Sequence, residues 1–243
     1  MEVGRKMKVE IWSDVMCPFC YIGKHVYESA LEQFPHKELI DTEWMSYQLD
    51  PEIPERMAEK VNTYNYLASR KKMDYEEVID MHKGILEMAK ENELQFNFDK
   101  TIVANTFKAH RIIQLAKEKG LSGDAEDALF RAFFVEGEDI ADDNALIRIG
   151  IAIGLSEEDV KLALTEEIYA YRVKQDIQEA HNIGLTGVPF FVFNRRYGIS
   201  GAEPLWVFTK TFDQAYEEWE KERSSQRLDV TSGQSCDIGG ECI

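Results

Sequence analysis

Two thiols, Cys17 and Cys20, stand two residues apart in the stretch Asp14-Val-Met-Cys-Pro-Phe-Cys-Tyr21. A pair so spaced either supplies half of a four-ligand zinc site or exchanges electrons with other thiols. Zinc needs two further ligands. The remaining cysteines, Cys236 and Cys242, lie more than 200 residues on and are separated by five residues, which is an odd spacing for a second ligand pair. Redox exchange is therefore the preferred reading, and no metal is expected. The reacting species in such exchange is a thiolate, and a helix N-terminus favours it through unpaired N–H groups and the positive end of the helix dipole. Pro18 suits the first helical position, where its missing donor costs little. Cys20 falls one turn further in, within reach of Cys17 but shielded from solvent. Cys17 is thus the expected attacking thiol and Cys20 the resolving one. Pro18 and Phe19 between them are candidate substrate contacts.

Such a pair needs a strand that ends where a helix begins, and the pattern supplies one. Residues 8–12 alternate apolar and polar, and the period turns helical through Tyr21, Ile22, Val26 and Leu31, stopping before Pro35. A second alternating run, Thr42 to Leu49, ends at Asp50-Pro51. The middle, 56–183, is almost wholly helical in period. Val78, Ile79, His82, Ile85, Leu86 and Ala89 share one face of a segment, which makes His82 a core histidine. Further helical runs are Phe107 to Lys117 with Gly120 as C-cap, Ala125 to Phe134, Ala145 to Ile153, Val160 to Leu164 and Ile168 to Asn182. Ser156 with Asp159 resembles a capping box. The period of two then returns. Pro189 to Asn194 and Tyr197 to Gly201 read as a hairpin joined through Asn194-Arg-Arg196, with no Asn-Gly to fix the turn type. Pro204 opens a last helix whose apolar face carries Leu205, Phe208, Phe212, Ala215 and Trp219. Neither α/β half holds enough strands for a stable sheet alone. Together they predict an α/β fold with a four-stranded mixed sheet flanked by helices and interrupted by a helical insertion. The expected units are 1–55 with 184–224 as a discontinuous sheet domain, 56–183 as the insertion, and 225–243 as a polar tail bearing Cys236 and Cys242.

Composition narrows the partners. The 243 residues carry 28 basic and 45 acidic side chains, a formal charge of −17, and no basic stripe. That field repels phosphate backbones and anionic lipid, so neither nucleic acid nor membrane is an expected partner. No apolar run approaches the roughly 20 residues that span a bilayer. Met1 to Lys8 lacks the apolar block of a signal peptide, so cytoplasm is the expected compartment.

Four stretches carry a resemblance: Ser13-Asp14-x-x-Cys-Pro-Phe-Cys-Tyr-x-Gly23, Asn105-Thr-Phe-Lys-Ala-His-Arg111, Gly184-x-x-Gly187-Val-Pro-Phe-Phe-Val192 and Ile199-Ser-Gly-Ala202. In combination they resemble the DsbA-like thioredoxin-fold family, in particular its cytosolic FrnE-like branch, over nearly the whole chain. The resemblance implies a thioredoxin-like fold and a cis Val188–Pro189 peptide facing Cys17, with Val188 offering its backbone to an extended substrate. It also implies a thiol-disulfide oxidoreductase that reduces, forms or isomerises disulfides without a tightly bound cofactor, as monomer or homodimer, with glutathione or another thiol as electron partner. Strongly oxidising relatives place a histidine where Phe19 stands. Phe19 offers no charge or hydrogen bond, so a potential less oxidising than about −120 mV is expected. Asn105, His110 and Arg111 are candidate cleft residues, Asp14 a candidate thiol-tuning group, and Cys236–Cys242 a candidate second redox pair, with a tail pair without catalytic duty or metal capture as the alternatives. Two rival functions share these features. One is a glutathione-dependent isomerase of the 2-hydroxychromene-2-carboxylate type, whose members typically carry Ser in place of the first cysteine. The other is a non-catalytic, thiol-based chaperone.

Overall fold

The computed structural model describes residues 6–225. Strand β1 (Met7–Ser13) leads into helix α1 (Pro18–Gln33), and a short 3-10 turn into strand β2 (Ile40–Ser46). Helices α2 (Thr63–Lys71), α3 (Tyr75–Glu91), α4 (Phe107–Glu118), α5 (Ser122–Arg131), α6 (Asp143–Ala152), α7 (Glu157–Thr165) and α8 (Glu167–Asn182) follow. The hairpin β3 (Phe190–Phe193) and β4 (Tyr197–Ser200) and helix α9 (Leu205–Ser225) complete the chain. The sheet order is β2-β1-β3-β4, with β1 parallel to β2 and antiparallel to β3, and β3 antiparallel to β4. This is the four-stranded mixed sheet with a large helical insertion that the two periods predict, and the thioredoxin-like fold that the resemblance implies.

Burial explains the order. β1 is a central strand covered on both faces, so all but one of its residues are buried. One face meets α1 and α9, where Tyr27, Phe191, Phe193, Phe208 and Phe212 are at most 1% exposed. On the other face Trp12 packs with Met45, Leu185 and Val192. The Trp12 indole N–H donates to the Asp176 carbonyl on α8 at 2.9 Å. The insertion is thereby fastened to the sheet. The Asp176 carboxylate also accepts from the Ser46 N–H and the Gln114 amide, at 2.9 and 2.6 Å. A second fastening is aromatic: Tyr21 of α1 stacks on Phe130 of α5 at 4.8 Å.

Three details depart from or complete the sequence reading. Strand β2 spans Ile40–Ser46, not Thr42 to Leu49. The chain leaves the sheet early because the Leu49 N–H is taken by the Asp14 carboxylate at 2.7 Å. The hairpin turn has positive φ at both Asn194 and Arg195, 49° and 55°, as a type I′ turn requires. Arg195 holds that conformation with its guanidinium tied to Glu10 and Glu179. On α9 the apolar face buries Phe208, Phe212, Ala215 and Trp219, whereas Leu205, the first residue of the helix, is 37% exposed. Gly120 caps α4 as read, at φ +72°. The Leu121 N–H reaches the Ala116 carbonyl and the Gly120 N–H that of Lys117, the two bonds of a Schellman motif.

Candidate active site

The turn after β1 sets the first thiol at the helix start. The Cys17 N–H donates to the Asp14 carbonyl at 2.8 Å, and the Cys17 carbonyl accepts from the Cys20 N–H at 3.0 Å, opening α1. Cys17 is the N-cap in extended conformation, Pro18 follows at the first helical position, and no side chain caps the helix. The Cys17 sulfur thus occupies the place where a capping oxygen usually accepts, at the positive end of a 16-residue helix. Across from it, the cis Val188–Pro189 peptide precedes β3. The Cys17 thiol donates to the Val188 carbonyl at 3.6 Å. Helix and loop approach this closely because residue 23 is glycine. A Cβ there would lie 3.1 Å from Pro189 Cγ and 3.2 Å from Phe191 Cζ.

The two thiols are not joined, and both are buried: Cys17 is 4% exposed and Cys20 1%. The expected contrast of an open first thiol and a shielded second is therefore small in exposed area. It appears in the electrostatics instead. Burial, then the hydrogen bond and charge of Cys17, push the Cys20 thiol well above its ordinary range. The Asp14 carboxylate adds to that rise, while a hydrogen bond to the Asp14 backbone opposes it. Cys20 is held as a protonated thiol beside its partner. Phe19 is 38% exposed, while Pro18 and Val188 are half-buried, forming an apolar rim.

Around the Asp14 turn, which acts on Cys20, lies a group of buried ionisable side chains. Asp14 and His110 are fully buried, with His110 Nε2 3.4 Å from Asp14 Oδ1, an ion-pair separation without hydrogen-bond geometry. Burial works against the imidazolium, but the Asp14 carboxylate and, more weakly, Glu126 outweigh it and hold His110 above the usual imidazole range. Glu126, 1% exposed, accepts from the Ser13 hydroxyl at 3.2 Å. Burial raises its carboxyl to about 7, against the opposing pull of His110 and Lys24. Lys24, also 1% exposed, is held by Glu28 at 2.5 Å and Asp127 at 2.7 Å.

The three candidate cleft residues thus separate. His110 reaches the Asp14 loop, with its Nε2 3.4 Å from Asp14 Oδ1. Asn105 is 8% exposed and braces the rim loops, donating to the Ile53 carbonyl at 2.6 Å and accepting from Gln48 at 3.2 Å. Arg111 does not line the cleft, which corrects the sequence expectation. Its guanidinium donates to the Ala163 and Glu166 carbonyls at 2.7 and 2.6 Å, inside the insertion. Neighbours on a helix point about 100° apart, so His110 and Arg111 leave α4 in different directions, one to Asp14 and the other to the Ala163 and Glu166 carbonyls. Glu126 and Lys24 escaped the sequence reading. Glu126 shares its face with Ala125, Leu129 and Phe130, and a lone acid on an apolar helical face was the available signal. Lys24 is four residues before Glu28, an ordinary surface pairing in sequence. Cys236 and Cys242 lie outside the described residues. Among the described residues no three His, Cys, Asp or Glu side chains gather so as to hold a metal ion, and no helix is long and apolar enough to cross a membrane.

Comparison with known proteins agrees with this geometry. The uncharacterised protein YwbO of Bacillus subtilis (strain 168) is 27% identical over 204 residues, covering 83% of this chain and 94% of that protein. The crystal structure of a probable DsbA oxidoreductase from Streptomyces coelicolor superposes with a TM-score of 0.82 at 33% identity, covering 98% of both chains. The cytosolic disulfide reductase DsbM from Pseudomonas aeruginosa shares the fold, with a TM-score of 0.59 at 16% identity over 89% of this chain and 99% of that one. The model of the DSBA-like thioredoxin domain matches residues 8–213, and the chain belongs to that family.

Proposed function

We propose that the protein is a thiol-disulfide oxidoreductase in which Cys17 exchanges with substrate and Cys20 resolves. The carrying observation is the unequal placement of the two sulfurs. Cys17 caps α1 and faces the Val188 carbonyl, while Cys20 is buried one turn inward as a stabilised thiol. In the oxidising direction, substrate thiolate attacks Cys17 of the disulfide and Cys20 leaves as the thiolate, taking up a proton. A second substrate thiolate then attacks the mixed disulfide, forms the substrate disulfide and releases Cys17. In the reducing direction, Cys17 thiolate attacks a substrate disulfide and Cys20 displaces the substrate sulfur. The backbone of Val188 and the rim of Pro18, Phe19 and Pro189 receive the extended segment that carries the substrate sulfur.

The electron partner is a thiol of the glutathione class or another thioredoxin-like protein, and the compartment is the cytoplasm. DsbM of Pseudomonas aeruginosa, which shares the fold, is a cytosolic disulfide reductase whose structure is also known with GSH, and this supports the reading. No tightly bound cofactor is required by the chemistry. Retention of both Cys17 and Cys20 disfavours the glutathione-dependent isomerase. The test is reduction of insulin disulfides by wild type and by Cys17→Ser. Loss of turnover in the variant is the expected result, and equal turnover in both overturns the assignment.

A further inference from the structure

The segment from Tyr47 to Ile53 leaves the sheet yet is held along its length. The Tyr47 N–H donates to the Ser13 carbonyl at 3.0 Å, and the Leu49 N–H to the Asp14 carboxylate at 2.7 Å. Asn105, just before α4, donates to the Ile53 carbonyl at 2.6 Å and accepts from the Gln48 amide at 3.2 Å. Asp50 folds the turn by accepting from the Glu52 N–H at 3.1 Å. It also accepts from the Tyr66 hydroxyl and pairs with Arg70 Nε at 3.1 Å, both on α2. The thiol turn, α2 and the approach to α4 therefore fix one strap. A surface fixed before binding loses little conformational freedom when a partner lands on it.

On that fixed backbone Leu49 is 47% exposed, while Ile53 is buried and Tyr47 half-buried. A lone exposed leucine is ordinary; what distinguishes Leu49 is its place. Asp14 binds the Leu49 N–H through its carboxylate and the Cys17 N–H through its carbonyl, so two hydrogen bonds separate the Leu49 backbone from that of Cys17. Tyr47, two residues before Leu49, packs on the same cluster as Val188, whose carbonyl faces the Cys17 thiol. Leu49 thus continues the apolar rim of Pro18, Phe19 and Val188 onto the strap. Charge narrows what fits there. The strap carries Asp50 and Glu52, and the cation beside them, Arg70, is engaged by both. An anionic small disulfide is repelled from such a strap, whereas an uncharged apolar side chain is not.

We propose that Leu49 is a specificity-determining residue that packs against an apolar side chain two residues from the substrate cysteine, so that the preferred substrates are disulfides in extended, apolar-flanked polypeptide segments. The proposal rests on the oxidoreductase reading. Side chains alternate along an extended segment, so the residues two before and two after the substrate cysteine share the face that its sulfur turns to Cys17. They lie about 7 Å from it along the chain. Backbone pairing at Val188 sets the register of the segment, and contact with alternate side chains selects among sequences.

The test uses the full chain, reduced, with symmetric disulfide dimers of one-cysteine peptides. One peptide carries leucine two residues before and two after its cysteine, and the other carries serine at both places. The Cys17 thiolate attacks one peptide sulfur and the other leaves as a thiolate; Cys20 then displaces the first, so the peptide is reduced and the thiol pair oxidised. Acid quenching and mass spectrometry give the rate, which is divided by that of the same peptide with dithiothreitol to remove its intrinsic reactivity. Wild type should favour the leucine peptide by about five- to tenfold, the worth of partly burying a leucine contact. Leu49→Ser should bring the ratio close to one, and Leu49→Met, which keeps an apolar side chain, should retain it. Leu162→Ser removes a leucine of similar exposure, 44%, on α7 and should keep the wild-type ratio. Equal corrected rates for the two peptides in wild type, an unchanged ratio in Leu49→Ser, or an equal fall in Leu162→Ser overturns the assignment of Leu49. A wild type that reacts with neither peptide nor with oxidised glutathione overturns the oxidoreductase reading itself.

Discussion

Glu126→Gln offers a test of the buried cluster that needs no substrate. Glu126 is 1% exposed, with Oε2 accepting from Ser13 and Oε1 unpartnered. Burial raises its carboxyl from 4.5 to about 7. A carboxyl raised in the folded state keeps a proton that the unfolded chain has already released. Its contribution to stability is therefore full below the unfolded value near 4.5 and is lost as pH climbs through the folded value near 7. At 1.36 kcal/mol per unit, that displacement corresponds to about 3 kcal/mol between acid and mildly alkaline solution. Glutamine has the same shape, still accepts from Ser13 and does not titrate. His110, raised as well, loses its contribution in the same direction and remains in the variant. Urea unfolding midpoints and slopes measured from about pH 5 to about pH 8 for both chains give the comparison. Wild type should lose stability with rising pH more steeply than Glu126→Gln. The difference between them should change by about 3 kcal/mol, or roughly 6–12 °C in melting temperature for a domain this size. Parallel curves would refute a buried, neutralised Glu126.

Three further outcomes follow from packing. Gly137 has φ +73°, and a Cβ there would meet the Lys100 carbonyl oxygen at 2.6 Å; Gly137→Ala should cost about 3 kcal/mol in chemical unfolding, and a loss within error would contradict the backbone geometry. Phe208 is fully buried and meets Phe191 edge-on at 4.8 Å, so Phe208→Ala should lower stability by about 3–5 kcal/mol, and a cost below about 1 kcal/mol would show that α9 does not pack as described. Arg111→Ala should cost about 2–3 kcal/mol by freeing the Ala163 and Glu166 carbonyls yet leave thiol turnover of the folded variant unchanged; a selective loss of turnover would put Arg111 back at the cleft.

The features most legible in the sequence were those with a local cause. Cys17 and Pro18 announce a helix start, and the return from period 3.6 to period 2 at Pro189 marks the closing hairpin. The end of β2 was misplaced because its cause is distant. The Asp14 carboxylate captures the Leu49 N–H across 35 residues of chain, and alternation cannot reveal that. The turn at Asn194–Arg195 likewise depends on ion pairs from Glu10 and Glu179, residues far apart in sequence. At the site, the thiols were readable from spacing alone. The side chains around Asp14 were not. His110 and Arg111 are adjacent in one motif, and only the docking of α4 decides which of them faces Asp14. Glu126 sits on an apolar face of α5, but only the docking of α5 on the sheet brings it against Ser13.

Division of labour between the two sulfurs is the claim on which the rest depends, and trapping tests it most directly. Cys20→Ser and Cys17→Ser, each incubated with oxidised glutathione and analysed by mass after peptide digestion, should differ sharply. The account predicts a stable glutathione adduct on Cys17 in Cys20→Ser and little adduct on Cys20 in Cys17→Ser. An adduct forming equally fast on Cys20, or none on Cys17, would contradict it.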